Sequence, residues 1–190
     1  MLPLFGLFLP LTIAALIVYW SIKNGIGPLP STPKQTRAML NCFPENVEGS
    51  ILELGSGWGR LALAMARRFP ENKVVAYESS PIPYLFSRIF SRRANLHFYH
   101  QDFLDVPLSN AGGIVCYLYP GGMEKLKPKL DAELTPGTLV VTNTFAVPGW
   151  KAETVVELND LHRTKIYVYR TNSAERINHG DTKNTEKNIF

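Results

Sequence analysis

The chain has 190 residues, of which 45% are hydrophobic, 19% are charged and 11% are aromatic. This length allows one domain of ordinary size with a small excess and excludes two full enzymatic domains, and the composition excludes a disordered chain. Two cysteines, Cys42 and Cys116, cannot form the framework of a disulfide-stapled secreted domain. The net charge is +4, and its distribution along the chain decides which kind of partner it indicates.

The N-terminal segment is apolar and carries no charged side chain from residue 2 to residue 22. A helix needs roughly 20 such residues to cross the hydrocarbon core of a bilayer. Tyr19 and Trp20 lie where aromatic rings favour the headgroup layer, and Lys23 follows them. No basic residue precedes the run, which favours an uncleaved anchor over a cleaved signal peptide. The sequence therefore predicts a transmembrane anchor over residues 1–23.

Most of the net charge follows this segment. Residues 1–37 carry three basic side chains and no acidic one, whereas residues 38–170 carry 14 basic and 13 acidic side chains. By the positive-inside rule, we expect the body of the protein on the cytoplasmic or matrix side of a membrane. A nucleic-acid-binding domain would concentrate the positive charge on its body, so no nucleic-acid partner is expected.

The rest of the chain divides into three parts. Residues 24–33 are rich in glycine and proline and predict a linker, residues 34–170 predict the folded domain, and residues 171–190 predict a flexible tail. The domain opens with a short helix after Pro33, for which Thr32 is the predicted N-cap.

Apolar strand patterns then alternate with helical ones, which predicts an α/β fold with a parallel sheet covered on both faces. Pro128 should bend the last helix or end an early turn of it. The final two strands have no helix-length connection and predict an antiparallel hairpin at one edge. The predicted strands are 50–55, 73–78, 95–100, 113–119, 138–145, 154–160 and 164–170, and the longer helices are 61–69, 84–93 and 122–134.

One motif indicates a binding site. The segment ELGSGWGR, residues 53–60, runs from a strand end through three glycines into a helix, where the backbone can approach a ligand and free N–H groups point towards it. Its G-x-G-x-G spacing differs from the G-x-G-x-x-G of dinucleotide folds. Glu78 ends the next strand, where a carboxylate can accept both hydroxyls of a ribose. A tight turn without a ligand and an ordinary solvated acid are the alternatives.

With these residues, the sequence over about 33–170 resembles the class I S-adenosylmethionine-dependent methyltransferases. The resemblance implies a Rossmann-like sheet of seven mostly parallel strands and S-adenosyl-L-methionine as the cofactor. The acid and apolar residue after the third strand are similar to the pair that contacts adenine in such enzymes. The cofactor-binding residues implied are Glu53, Gly55, Ser56, Gly57, Trp58, Gly59, Glu78, Asp102 and Phe103.

Within that class, the apolar N-terminus, the PSTP segment (30–33) and the lack of a substrate-binding insertion resemble small membrane-associated protein-lysine methyltransferases. These include the mitochondrial enzymes that act on the ATP synthase c subunit or the adenine nucleotide carrier, and bacterial relatives. Residues 78–90 resemble the bacterial members more closely, which favours a bacterial inner membrane. The mitochondrial enzymes usually carry Asp where Trp58 stands, so the identity of the acceptor does not transfer. The implied partner is a protein substrate that can itself be membrane-embedded, and the oligomeric state stays open.

The acceptor side offers one candidate catalytic residue. Tyr119 follows the fourth strand and could orient an acceptor amine, although a tyrosine packed in a turn is an equal alternative. His97 and His100 are predicted to point to opposite faces of a strand, so no metal site is expected. An acceptor that is a small amphiphile, such as a quinone precursor or a lipid, and a catalytically silent interaction module remain alternative functions.

Arginines cluster at the ends of two predicted helices. Cations there interact favourably with the helix dipole, and we prefer this explanation to an RNA-binding patch, with contact to anionic lipid headgroups as a further alternative. These residues are Arg67, Arg68, Arg88, Arg92 and Arg93.

Overall fold

The computed structural model describes residues 2–24 and 30–172. Five α-helices and seven strands alternate along these residues, with one short 3₁₀ helix at Phe103–Asp105. The helices are α1 (Leu2–Asn24), α2 (Pro33–Asn41), α3 (Arg60–Arg68), α4 (Pro81–Phe90) and α5 (Pro120–Glu133). The strands are β1 (Ser50–Leu54), β2 (Val74–Glu78), β3 (Leu96–His100), β4 (Ala111–Cys116), β5 (Leu139–Asn143), β6 (Thr154–Glu157) and β7 (Lys165–Arg170).

The seven strands form one sheet in the order β3-β2-β1-β4-β5-β7-β6. The first five strands pair in parallel, and β7 pairs antiparallel with both β5 and β6. The predicted α/β fold and the terminal antiparallel hairpin are therefore confirmed. The strand order reverses between β1 and β4, and ligands bind at such a switch point in open α/β sheets.

Helices cover both faces of the sheet. Side chains of α2 and α3 pack with the strands in one apolar cluster, which includes Met39, Met65 and Val115. Leu126 and Leu130 of α5 pack in a second cluster on the other face. Helix α4 lies against β2 and β3 at the sheet edge. This double cover explains why the parallel strands β1, β2, β4 and β5 are buried along nearly their whole length.

The helix that opens the domain begins as predicted. The Thr32 hydroxyl accepts a hydrogen bond from the Gln35 backbone N–H (3.2 Å), and the Gln35 side chain accepts one from the Thr32 backbone N–H (2.9 Å). This reciprocal pair is a capping box, and Pro33 takes the first helical position, where its missing N–H costs nothing.

Several details differ from the predicted elements. Helix α4 spans Pro81–Phe90 rather than 84–93, because Pro81 takes its first position, and β6 ends at Glu157 rather than at residue 160. Strand β4 begins at Ala111 and ends at Cys116, before Tyr117, because Pro120 opens α5 after a short extended turn. Gly112 belongs to the strand, and a glycine is required there because a Cβ atom would lie 1.5 Å from the Glu48 carbonyl oxygen. Of the two effects expected of Pro128, an end to an early turn is not found, since α5 continues through it to Glu133; a bend stays a prediction.

The N-terminal segment forms the helix α1, which packs against α4. The predicted transmembrane span is not found, since within residues 2–24 and 30–172 no helix combines the length and the apolar character that crossing a bilayer requires. Much of the predicted linker and nearly all of the predicted tail lie outside the described residues. Thr171, the first residue of that tail, is hydrogen-bonded to Gly137 and Thr138.

Candidate functional site

A cavity of about 260 Å³ lies at the carboxyl ends of β1, β2 and β4. It is lined by the glycine loop between β1 and α3, by the ends of β2 and β4 and by parts of α1, α4 and α5. This is the switch point of the sheet, where the sequence predicted a binding site. All nine predicted cofactor-binding residues surround or support this cavity, and Gly59 alone among them does not line it.

The glycine loop is held in place by backbone hydrogen bonds. The N–H groups of Gly55 and Ser56 both donate to the Tyr77 carbonyl of β2 (3.0 and 2.9 Å). Gly57 has a positive φ of 52°, and a Cβ atom there would meet nothing within 4 Å. The loop therefore presents bare backbone to the cavity at Gly57, which allows a ligand to approach closely.

Gly59 has a different role in the same loop. Its φ is 76°, and a Cβ atom there would lie 2.7 Å from the Ser87 Cβ and 2.8 Å from the Phe98 Cζ. A glycine is therefore needed here for the close packing of the loop against α4 and β3. Its part in the site is to fix the loop rather than to line the cavity.

The Glu78 carboxylate bridges two segments of the cavity wall. One oxygen, Oε2, accepts a hydrogen bond from the Gly57 N–H (2.7 Å), and the other, Oε1, accepts one from the Ser80 N–H (2.7 Å). Hydrogen bonds to a charged acceptor are stronger than those between neutral groups. Each carboxylate oxygen can accept more than one hydrogen bond, so both remain able to accept from hydroxyls of a ligand.

Two buried polar atoms near the loop have no hydrogen-bond partner among the described residues: Glu53 Oε2 and Ser56 Oγ. Both residues line the cavity. Burial raises the pKa of the Glu53 carboxyl well above its ordinary range; a backbone hydrogen bond with Ala62 lowers it by less, and the Glu78 charge raises it further. An unpaired buried polar group is costly. A ligand that donates hydrogen bonds here would relieve this cost.

The predicted adenine contacts, Asp102 and Phe103, also line the cavity. Asp102 caps the 3₁₀ helix, where its Oδ1 accepts a hydrogen bond from the Leu104 N–H (3.0 Å). Phe103 is half-buried and lines the cavity beside it. A carboxylate that accepts hydrogen bonds and an aromatic ring form a suitable wall for a nucleobase.

The predicted acceptor residue, Tyr119, lines the cavity where β4 leads into α5. Its ring packs against the backbone at Gly121, where a Cβ atom would lie 2.7 Å from the Tyr119 Cε2. Sequence reasoning missed Tyr117, which lines the cavity at the end of the same strand. The signal that could have identified it is its spacing: in an extended segment, a residue two positions before Tyr119 points to the same side as Tyr119. Arg60 and Lys125 also line the cavity and were not predicted.

Helix α1 contributes a wall that the sequence did not predict. Its residues Leu16, Ile17, Trp20 and Ser21 line the cavity, and their spacing places them on one face of the helix. Ser31, directly before the capping box, is buried and lines the cavity as well. The segment expected to act only as an anchor is thus part of the site.

These features fit S-adenosylmethionine. The cofactor carries a ribose diol, an ammonium group and an adenine, and the cavity offers carboxylates, an unpaired serine hydroxyl, exposed loop backbone and an aromatic wall to groups of this kind. Its lining, in which apolar side chains surround a few convergent polar groups, is that of a small-molecule site. Among the described residues, no cluster of His, Cys, Asp and Glu side chains could hold a metal ion.

Comparisons with known proteins agree with this fit. The family described as ANTKMT methyltransferase domain matches residues 53–154. A protein-lysine N-methyltransferase of Saccharolobus islandicus is 30% identical over 152 residues, which make up 74% of this chain and 91% of that protein. The ATP synthase c-subunit lysine N-methyltransferase of Mus musculus is 32% identical over 127 residues, or 64% of this chain and 50% of the mouse protein. The chain thus spans about half the length of the mouse relative.

A solved structure has the same fold. The RNA methyltransferase from Salinibacter ruber, in complex with S-adenosyl-L-homocysteine, superposes with a TM-score of 0.69 and is 26% identical. The match covers 76% of this chain and 95% of that one. The resemblance seen in the sequence is confirmed: the chain belongs to the ANTKMT methyltransferase family and is an S-adenosylmethionine-dependent methyltransferase.

Proposed function

We propose that the protein methylates lysine side chains of a protein acceptor. The observation that carries this proposal is the cavity itself, which joins the predicted cofactor residues to Tyr119 at the end of β4. The sheet carries no separate substrate domain within the described residues, so a macromolecular acceptor would bring its own recognition surface. The name of the archaeal relative, of which this chain covers 91%, supports the same class of acceptor.

We assign the cofactor contacts by their chemistry. Glu78 would accept from the ribose hydroxyls, and Glu53 and Ser56 would accept from the ammonium group of the methionine moiety. Asp102 and Phe103 would contact the adenine, and Gly55, Gly57 and Trp58 would form the loop that the cofactor passes. The support for these roles is that every one of these residues lines the cavity. Gly59 would act only through the position of the loop.

The acceptor end of the cavity would position a neutral amine. Bound S-adenosylmethionine would supply a methyl group from its sulfonium sulfur to the amine nitrogen. The rest of the cofactor would then leave as a neutral thioether. Tyr117 and Tyr119 would orient the amine through hydroxyl or ring contacts, and the apolar wall at Leu16 and Ile17 would disfavour its charged form. The methylated ammonium then loses a proton to solvent. Catalysis here consists mainly of positioning.

We further propose that the enzyme works at a membrane surface. Helix α1 exposes several large apolar side chains outside the face that lines the cavity, and exposed apolar surface of this kind is normally covered by protein or lipid. This proposal rests on exposed apolar area rather than on a membrane span. Among the exposed residues are Phe8, Leu11, Val18, Tyr19 and Ile22.

A methyl-partition experiment tests the acceptor class. Membranes are incubated with the protein and tritiated-methyl S-adenosylmethionine, and label is counted in delipidated protein and in the solvent extract. We expect label in the protein fraction, and none with Gly57→Arg, whose side chain would project from the loop into the cavity. Label in the solvent extract would indicate the amphiphile alternative, which the apolar α1 wall also suits. Cofactor binding without transfer to either fraction would indicate a silent interaction module.

A further inference from the structure

Helix α4 carries a second exposed apolar surface. Leu85, Phe86, Ile89 and Phe90 are 51%, 43%, 53% and 66% exposed. Their spacing places them on one side of the helix, whereas Pro83 and Ser87 are buried on the side that faces the body. We call these four residues the α4 apolar face. Large apolar side chains that are contiguous in this way mark an interaction surface rather than an ordinary one.

The charge around this face has a single sign. Between Glu78 and Asp102 the sequence contains three arginines and no acidic residue. Arg88, Arg92 and Arg93 are all exposed, and together with β3 they line a shallow groove beside the helix. None of the three forms an ion pair within residues 2–24 and 30–172. Among the residues that the structure describes, Arg88 donates a hydrogen bond to the Tyr84 hydroxyl alone (3.2 Å).

The α4 apolar face is continuous with the cofactor site and with α1. The Trp58 ring of the glycine loop meets the Phe86 ring edge-to-face, with centroids 5.2 Å apart, and Phe86 in turn contacts Phe90 at 4.5 Å. Helix α1 packs against α4, and Ile82 at the start of α4 lines the cavity. Whatever covers the α4 apolar face therefore also lies beside the cavity.

We propose that the α4 apolar face lies in the interfacial layer of an anionic membrane, with Arg88, Arg92 and Arg93 against lipid phosphates. A helix with an apolar side and flanking arginines is suited to this layer. Phe86 and Phe90 could stack on bases, but Leu85 and Ile89 could not, so the face as a whole suits lipid better than RNA. Bound in this way, α4 and α1 would turn the cavity towards the membrane. This inference extends the proposed membrane association but needs no methyl transfer to be tested.

The test measures the lipid proximity of α4 separately from that of α1. In a Cys42→Ser background, a fluorophore is attached to Ile89→Cys or, as a control, to Leu161→Cys, which lies 91% exposed between β6 and β7. Burial raises the pKa of the remaining Cys116 thiol to about 12, so that residue should not react. The full chain is placed in nanodiscs of phosphatidylcholine, with or without phosphatidylglycerol and a doxyl-labelled lipid quencher.

We expect quenching at Ile89 but not at Leu161, and more of it in the anionic discs. The triple variant R88Q/R92Q/R93Q should lower the docking equilibrium by up to about 100-fold, since each arginine near an anionic surface contributes roughly fivefold. The matched variant R67Q/R68Q/K151Q, which removes the same charge elsewhere, should dock normally. Circular dichroism melting confirms that each variant is folded.

Several outcomes would overturn the inference. Equal quenching at Ile89 and Leu161, or quenching that does not depend on anionic lipid, would show that α4 is not held at the headgroup layer. Binding of a single-stranded RNA that depends on Arg88, Arg92 and Arg93, without lipid quenching at Ile89, would identify a nucleic-acid surface instead. The comparison between lipids uses only the proteins labelled at one introduced cysteine, so it remains decisive even where the triple variant is unfolded.

Discussion

Glu78 joins the sheet to the glycine loop at the level of single hydrogen bonds. Its two oxygens accept from the Gly57 and Ser80 N–H groups, which fixes the carboxylate at the cavity wall. An acid at the end of the second strand was predictable from the sequence, because strand ends of parallel sheets meet at one edge. The hydrogen bond between Glu78 and Gly57 was not predictable from the sequence, because it depends on the exact path of the loop.

Glu78→Gln should weaken the binding of S-adenosylhomocysteine. The amide keeps the shape of the side chain but loses the charge that strengthens its hydrogen bonds, and one of its two oxygens becomes a donor. We expect roughly a 10- to 100-fold loss of affinity by isothermal titration, the value of one or two charged hydrogen bonds. Glu71→Gln, an exposed acid on the loop between α3 and β2, is the control and should bind as the unchanged protein does. Equal affinities for all three proteins would argue against the assigned ribose contact.

Glu53 should make cofactor binding depend on pH. Burial raises the pKa of its carboxyl, so the protonated form is favoured in the free protein, whereas an ammonium group of the cofactor favours the ionised form. Below the raised pKa, binding must therefore release a proton. We expect the affinity for S-adenosylhomocysteine to rise as the pH rises through that pKa. Glu53→Gln should bind more weakly and lose this rise, and an unchanged pH profile for the variant would contradict the assignment.

The same shift should act on stability in the opposite sense. Because the pKa of Glu53 is higher in the folded than in the unfolded state, its stabilising contribution is full below the unfolded pKa and is lost as the pH rises towards the folded pKa. In the absence of cofactor, Glu53→Gln should therefore melt at a higher temperature than the unchanged protein at about pH 8, with a smaller gain near pH 5. Differential scanning calorimetry checks this, and a variant that is less stable at both pH values would contradict it.

At the scale of elements, two glycines of the same loop have different roles: Gly59 is needed for stability, and Gly57 is needed for cofactor binding. Gly59→Ala should lower the free energy of unfolding by about 2 kcal/mol or more, because left-handed strain of about 1 kcal/mol adds to overpacking against Ser87 and Phe98. Gly57→Ala should lower the free energy of unfolding by only about 1 kcal/mol, the left-handed strain alone, since its Cβ meets open space. Chemical denaturation measures both variants. We expect Gly57→Ala to lose more cofactor affinity than its small stability loss explains, and similar denaturation curves for the two variants would be inconsistent with this division.

The elements were largely predictable because each of them has a strong local signal. Apolar runs marked the strands, and Thr32 with Pro33 marked the start of α2 through capping that needs no tertiary contact. The features that local signals did not determine depend on tertiary packing. Pro128 lies within α5, whose apolar residues are held against the sheet, and this packing outweighs the tendency of proline to end a helix. The role of α1 in the cavity wall depends on a long-range contact and has no signature in its own residues.

For the whole molecule, the sequence led to the correct family but to only part of the site. The loop and Glu78 follow one another along the chain in a recognisable pattern, whereas Ser31 and Leu16 reach the cavity only because α1 and the start of α2 fold back on it. The same fold places the exposed faces of α1 and α4 beside the cavity mouth. These exposed faces are the support for our proposal that the acceptor is held at a membrane.

The most direct test of the central claim is mass spectrometry of the methylated acceptor. Membranes are incubated with the protein and S-adenosylmethionine that carries a trideuterated methyl group, and the delipidated proteins are digested and sequenced. The account predicts peptides in which a lysine carries one or more trideuterated methyl groups, absent when Gly57→Arg replaces the unchanged protein. Trideuterated methyl groups found only in lipid or quinone fractions, or on residues other than lysine, would contradict it.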